Sequence, residues 1–410
     1  MSESEMPNAE QCGPTLSEAL GFSGTILEVG YTHPGVRRVL SMAGGTTGFL
    51  VSLDDERITD LEVEIGIGHR GFEKEAEAVP WHRALPYVAR LGYVNGLMAE
   101  VAYCLAVEGL ARVSLPDRAI WLRTLASEIA RISDHFSRLT SVSASIGLRS
   151  AENVSQQGES FATKLLDALT GGAFAGWVRL GGVAGCVPDQ FEAFWGIARR
   201  EIEASLVRFD AAAISNPSCQ KRLQDVAVFS ADDCVAWSVT GPSIRAAGTP
   251  MDVRREAPYL AYASIDFDIP IGESGDCFDR LLVVVEEVRQ SLRIIDQCLS
   301  LLATLGPGAV RLAEPGWCDP EDVAPSERAQ LALCGPNIAP GEYTASIESS
   351  TGELGFFIVS DGNSTPRRIR CRAASFHHAQ AMPQMLRGAL LDDLLPTAAI
   401  LHLVSGECDR

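Results

Sequence analysis

The sequence predicts an α+β chain: a small N-terminal β-rich domain, a central bundle of long helices, and a C-terminal strand meander that ends in helices. Three patterns carry that expectation. Apolar residues alternate in short stretches over 25–65, the period of half-buried strands. They step by four and three over 125–139 and again over 288–302, which places them on one helical stripe. Alternation returns after residue 340.

In chain order, residues 1–22 are acidic and polar, without a basic start or an apolar core, and read as a disordered lead rather than a secretory signal. Residues 23–68 form the β-rich domain, with Thr25, Leu27 and Val29, then Leu61, Val63 and Ile65, separated by Gly44, Gly45 and the Asp54-Asp55 turn. Residues 69–310 form the helix bundle with long inserted loops. Its first helix, "YVNGLMAEVAYCLAVEGLA", repeats Leu97, Val101 and Leu105 and is apolar on its other faces too, so it should be central. Pro116 fits a first helical position, followed by the stripe Leu125, Ile129, Ile132, Phe136 and Leu139. Further helices are expected around 157–170, 188–209 and 279–305. These stripes need one another, hence a bundle. Residues 213–278 are rich in Gly, Pro, Asp and Ser and read as long loops packed on that scaffold. Residues 311–410 hold the meander, with strands at 342–348, 354–359 and 367–372, an "SDGN" turn and a helical tail.

Composition bounds the function. With 46% hydrophobic and 21% charged residues, the 410-residue chain can bury a core unaided. A formal net charge of −19 argues against nucleic acid and against an anionic membrane surface. No apolar run approaches the ~18 residues of a membrane helix, so attachment to a membrane would run through other chains. The eleven cysteines are scattered singly with no CxxC, a reducing-compartment pattern that disfavours structural zinc or an intrinsic cluster; they read mainly as small buried hydrophobes. There is no GxxxxGK[ST] loop and no GxGxxG, so this chain is not expected to bind NADH itself. GxSxG and HExxH are absent as well.

Several polar clusters invite function. His69, Arg70 and Glu73 in "GHRGFEK" suggest a proton relay, but a structural network at a helix entry is the better reading. Glu128, Arg131 and His135 share the face opposite the apolar stripe, as a polar seam between helices or a solvated face. His377 and His378 are adjacent, share no helical face, and make a weak metal pair. The charges of "DVRREAPY" and "DFDIP" should order loops against neighbouring proteins of a complex, since buried charges must be paired.

A chain-long set of blocks resembles the D-type, hydrogenase-large-subunit-like family of complex I, the proton-pumping NADH:quinone oxidoreductase, itself related to nickel–iron hydrogenase large subunits. The blocks are "IGIGHRGFEK" at 65–74, "LPYVARLGYV" at 85–94, "YCLAVEGL" at 103–110, "SEIARISDHFSRL" at 127–139, "GPSIRAAGTPMDVRREAPY" at 241–259, "DFDIPIGESGDCFDRL" at 266–281, "GELGFFIVSDG" at 352–362 and the terminal "ECDR". They are collinear over about residues 30–410. Where the hydrogenases hang their metal centre on two CxxC pairs, this chain reads "RLGYVNG" and "LVSGEC", with Cys408 alone. One thiolate cannot build that site, so hydrogen activation is rejected.

The resemblance implies a protein of the peripheral arm, on the cytoplasmic side of the bacterial inner membrane. Its partners would be a B-type iron–sulfur protein, a C-type protein and membrane-arm proteins of the same complex. No cofactor would be bound by this chain: NADH is oxidised elsewhere in the complex, a four-iron four-sulfur cluster lies in the partner, and quinone is the substrate. By resemblance Tyr93 is the tyrosine that hydrogen-bonds the quinone, and Arg90 is the arginine beside the cluster. On the residues alone, Tyr93 reads as a buried aromatic with a satisfied hydroxyl and Arg90 as a salt bridge in the bundle. A glycine-rich hairpin reading HPxxHG is expected near the N-terminus; "THPGVRRV" keeps His33 and puts Arg37 at the second histidine. The acid that would partner that histidine falls on Ser145, a histidine pair near the cluster falls on Ala175 and Gly176, and a Thr-Pro segment is replaced by "LRSAENV". An arginine can donate to a carbonyl but cannot give up a proton. The competing reading is a scaffold protein with lost or altered quinone chemistry.

Overall fold

The computed structural model describes residues 21, 24–40, 46–92, 96–172, 176–313, 317 and 333–410. The polar lead, Gly44 and Gly45, Tyr93 and Ala175 lie outside the described residues.

Three strands, β1 (Thr25–Val29), β2 (Gly48–Asp54) and β3 (Arg57–Glu64), form an antiparallel sheet in that order. The expected turn closes β2 onto β3, with Asp55 at φ 53°, a left-handed position that aspartate tolerates. Burial differs from the alternation in β1: Ile26 and Leu27 are more than a third exposed and only Val29 is buried, because β1 lies at the sheet edge. The segment read as a glycine-rich hairpin includes a helix, α1 (Pro34–Leu40). Pro34 occupies its first position and Val36, Val39 and Leu40 form a buried stripe, a pattern too short to register as periodic.

The bundle contains α2 (Gly96–Ala111), α3 (Asp117–Ser145), α4 (Arg149–Thr170), α5 (Phe191–Phe209) and α6 (Cys277–Leu305). Pro116 caps α3 from outside, one residue before its expected place. The long helix α4 begins at Arg149, earlier than its apolar stripe suggested. Residues 146–148 return the chain so that α4 packs along α3, and Gly158 lets the Phe136 ring occupy the space a Cβ would fill. Two short strands, β4 (Val178–Arg179) and β5 (Gly182–Val183), lie between α4 and α5. Beyond the bundle, β6 (Gly341–Glu348), β7 (Glu353–Ser360) and β8 (Arg368–Arg372) make the expected meander, followed by α7 (Ala374–Leu386) and α8 (Leu394–Leu401). Seven of the nine described cysteines are buried, in line with reading them mainly as small buried hydrophobes; Cys186 and Cys334 are exposed.

The second face of α3 is not solvated. Glu128, Arg131, Asp134, His135 and Arg138 are all buried, and they form an ion-paired seam with α6, the 242–256 segment and the end of β6. Glu128 accepts from Arg131 at 3.2 Å, Arg254 at 3.3 Å, Tyr262 at 2.6 Å and Ser291 at 2.6 Å. Arg245 donates to Glu287 at 2.5 Å and to Glu348 at 2.8 Å, and Arg254 donates to Asp252 at 2.7 Å. Arg131 also donates to the carbonyls of Glu348 and Ser349, and Arg138 to that of Ser350. Burial opposes ionisation of Glu128 and Glu287, yet the facing guanidiniums hold both below the usual carboxylate range. The "DVRREAPY" charges were expected to meet neighbouring proteins; Asp252 and Arg254 are instead spent inside this chain, and Arg255 lies over the Phe267 ring at 3.8 Å. Of "DFDIP", Asp266 and Asp268 stay at the surface, paired with Arg293.

Removing one partner from such a seam strands buried charge. Arg245→Met should destabilise the chain by about 3–5 kcal/mol, read from urea unfolding; a loss below about 1 kcal/mol would show that the seam contributes nothing. Histidines add an acid limit. Burial pushes buried His135 down to about 4, although Glu287 accepts from its Nε2 at 2.8 Å, and pushes buried His378 down to about 3. Both stay neutral in the fold while the unfolded chain binds protons below its ordinary histidine pKa. Stability should therefore fall as pH drops from about 6.5, by roughly 2 kcal/mol per histidine at pH 5. His135→Gln should flatten that slope between unfolding curves taken at neutral and mildly acidic pH.

Candidate functional site

His33 opens α1 as its cap. Its carbonyl accepts the Arg37 amide at 2.9 Å and its Nδ1 accepts the Gly35 amide at 3.2 Å. In the neutral ring this leaves the proton on Nε2, a donor available to a ligand. His33 lines a cleft of about 420 Å³ with the side chains of Leu27, Val29, Ile146, Leu391, Leu394 and Leu395, together with Ser145 and the polar Glu28, Arg222 and Asp392. Such a cleft is apolar-walled with a few polar groups, the usual make-up of a small-molecule site. Ser145, at the end of α3, is thus brought beside His33, with its hydroxyl donating to the Val142 carbonyl at 2.6 Å. Arg37 follows one turn along α1 at the exposed surface and is not among the residues described as lining the cleft. Two carboxylates at its rim, Glu28 and Asp392, went unassigned in the sequence because the first is in an alternating strand and the second in an ordinary acidic turn.

The two segments that stand where the resemblance puts a metal cradle do meet. A Cβ on Gly406 would lie 2.5 Å from the carbonyl oxygens of both Arg90 and Leu91, so backbone fills the gap. Cys408 is buried there, and burial pushes its thiol far up. Among the described residues no group of three or more His, Cys, Asp or Glu side chains could hold a metal ion. Arg90 is exposed on a short turn, Ala89–Leu91, and its carbonyl accepts from Arg70 at 3.3 Å. Burial, then the Arg90 charge, lowers the Arg70 guanidinium.

The "GHRGFEK" residues disperse to separate partners, as a structural network does. His69 Nδ1 donates to the Asp409 carbonyl at 2.8 Å, and Glu73 accepts the Cys371 amide at 2.9 Å. Asp409 in turn accepts the Gly66 amide at 2.5 Å and the Gly68 amide at 2.6 Å, tying the terminal "ECDR" to "IGIGHRG". His378 is buried against the Thr240 carbonyl and His377 is half-buried beside Phe376, so the pair is not placed for chelation. Of the positions expected to carry histidines, Gly176 is described; its amide donates to the buried Glu100 at 2.6 Å. Glu100 was missed because an acidic residue inside a continuous apolar run has no sequence signature.

Comparison with known proteins places these residues in a family context. Residues 156–410 match the family described as "Respiratory-chain NADH dehydrogenase, 49 Kd subunit". The chain is 35% identical over 398 residues to the fused C/D protein of the NADH-quinone oxidoreductase of Nitrosospira multiformis, covering 95% of this chain and 64% of that protein. The D 1 protein of the NADH-quinone oxidoreductase of Anaeromyxobacter dehalogenans is 33% identical, covering 94% of this chain and 89% of its own length. The D-type protein of the same complex in Magnetococcus marinus is 32% identical, covering 97% and 99%. The chain thus spans just under two thirds of the fused C/D relatives and nearly all of the stand-alone Magnetococcus protein.

The capping role of His33 is testable apart from any reaction. His33→Ala should cost about 1 kcal/mol through loss of the α1 cap, and His33→Asn should recover most of it. Nitrogen NMR of the neutral imidazole should show Nδ1 unprotonated; a proton on Nδ1 would remove the cap from the account.

Proposed function

Because the chain belongs to the family of the 49 kDa, D-type subunit of the respiratory-chain NADH dehydrogenase, we propose that it forms the wall of a quinone-reduction pocket in the peripheral arm of an NADH:quinone oxidoreductase. The observation that carries this reading is His33 with its Nε2 donor on an apolar-walled cleft, in a chain with D-type likeness along nearly its whole length. Electrons would come from a four-iron cluster held by a B-type partner, NADH being oxidised elsewhere in the complex. C-type and membrane-arm partners would place the chain on the cytoplasmic side of the bacterial inner membrane and couple the reaction to proton translocation. No helix among the described residues is long and apolar enough to cross a membrane, which fits a peripheral position.

A quinone carbonyl becomes a better hydrogen-bond acceptor as electrons arrive, so donors that stay in place favour the reduced ring. In this reading the Tyr93 phenol donates to one carbonyl and the His33 Nε2–H to the other. The guanidinium of Arg37 adds a fixed positive charge in place of a second histidine and transfers no proton. Arg90 sits toward the cluster and stabilises the negative charge that passes between donor and ring. The two protons of the quinol must then come from groups that can release them.

The experiment is NADH-driven quinone reduction by the assembled complex. Tyr93→Phe should lower the rate by about a hundredfold or more, while NADH oxidation by an artificial acceptor stays unchanged. Arg37→His should alter rate or quinone affinity. If both variants match the wild type, the scaffold reading, in which this chain only holds its iron–sulfur partner, replaces the catalytic one.

A further inference from the structure

Glu100 lies in the second turn of α2, fully buried, and its two oxygens are used unequally. Oε1 accepts the Gly176 amide at 2.6 Å, whereas Oε2 is buried with no hydrogen-bond partner among the described residues. An ionised carboxylate so placed would leave one charged oxygen desolvated and unpaired, which burial strongly disfavours. A carboxylic acid with its proton on Oε2 avoids that. Burial accordingly pushes the group up to about 8, against the pull of the Gly176 amide and the Arg179 charge.

The surroundings separate Glu100 from the structural acids. One turn further along α2 lies buried Cys104, and one turn beyond that Glu108, which Arg123 of α3 grips at both oxygens, 2.7 and 2.8 Å. Glu108 is therefore committed to an ion pair. Glu100 makes none among the described residues; the charge acting on it is that of Arg179 in β4, whose Nε donates to the Gly176 carbonyl at 3.1 Å, while Arg311 acts on Cys104. Gly176 has φ +83°, and a side chain built on it would meet no described atom within 4 Å. Glu100 lies in the helix whose N-terminal end follows "RLGYVNG".

We propose that Glu100 is a proton store for the quinone site, a positioning residue that supplies one of the two protons of the quinol through intervening groups. This rests on the quinone-reducing reading above. The ring receives two electrons from the partner's iron–sulfur centre and two protons. One of these leaves Glu100 as its Oε2–H bond breaks, and the carboxylate left behind is held by the Gly176 amide and the Arg179 charge until solvent reprotonates it. Neither Arg37 nor Ser145 can release a proton at working pH, so a pocket that they border needs another source.

Glu100→Gln keeps an acceptor for the Gly176 amide and removes the proton. Infrared spectroscopy of the full chain should show a deuterium-sensitive protonated-carboxyl band that fades with a midpoint of about 8 and is missing in the variant. In the assembled complex the wild-type rate of NADH-driven reduction of a short-chain quinone should fall as pH rises through that midpoint. The variant should start about tenfold lower and lose the fall. A band retained in Glu100→Gln, no such band in the wild type, or an unchanged pH profile overturns the proposal. If Tyr93→Phe abolishes quinone reduction while Glu100→Gln leaves the profile unchanged, this inference alone fails; if Tyr93→Phe is also without effect, the quinone reading falls with it.

Discussion

Arg245 and its three carboxylate neighbours set the constraint on which the rest of the structure depends. Its guanidinium meets Glu287 of α6 and Glu348 of β6 directly and lies 3.6 Å from Asp252 in the intervening loop. None of these groups reaches water. A buried charge is tolerable only when paired and hydrogen-bonded. The 242–256 segment, α6 and the end of β6 can therefore come together in one register, because any slip leaves an ion without its counterion.

That constraint is passed outward through α3. Arg131 and Arg138 hold one face of the helix to the 348–350 carbonyls, Glu128 ties it to Arg254, Tyr262 and Ser291, and Asp134 ties it to His402 at 3.2 Å. The outer end of the same helix delivers Ser145 to the His33 cleft, whose opposite wall comes from Leu394 and Leu395 at the start of α8. A cleft on two elements fixed by one ion-paired core is a rigid platform, the property a binding wall needs. Closure of Gly406 on the carbonyls of Arg90 and Leu91 acts in the same sense, packing backbone against backbone where the two segments meet.

Three positions at which the resemblance to the family sets a histidine or an acid share one physical consequence. Arg37, Ser145 and Gly176 have no side-chain group that gives up a proton near neutral pH, as a histidine or a carboxyl of raised pKa can. Such replacements, read from the resemblance, would leave the pocket with fewer groups that release a proton near neutral pH. A buried carboxyl poised to keep its proton, such as Glu100, is the kind of group that offsets that change.

Much of this architecture was legible in the amino-acid order. The helical stripes of α3 and α6, the buried α2 and the three C-terminal strands announce themselves because an apolar period is a local property, set by which face must leave water. The missing cysteine pairs likewise argue against a hydrogenase-type metal site from sequence alone. Helix α1 escaped because two turns of helix hold too few apolar residues to show a period, and for Glu128, Arg131 and His135 the sequence left a seam between helices and a solvated face both open, because a charged face looks the same whether it meets water or counterions. Which acid pairs with which arginine, whether Glu28 and Asp392 share a cleft with His33, and which carboxyl is left half-satisfied are decided by contacts between residues up to several hundred positions apart. Local sequence carries no record of such distances; only the packed chain brings the charges near enough for burial and Coulomb attraction to sort them.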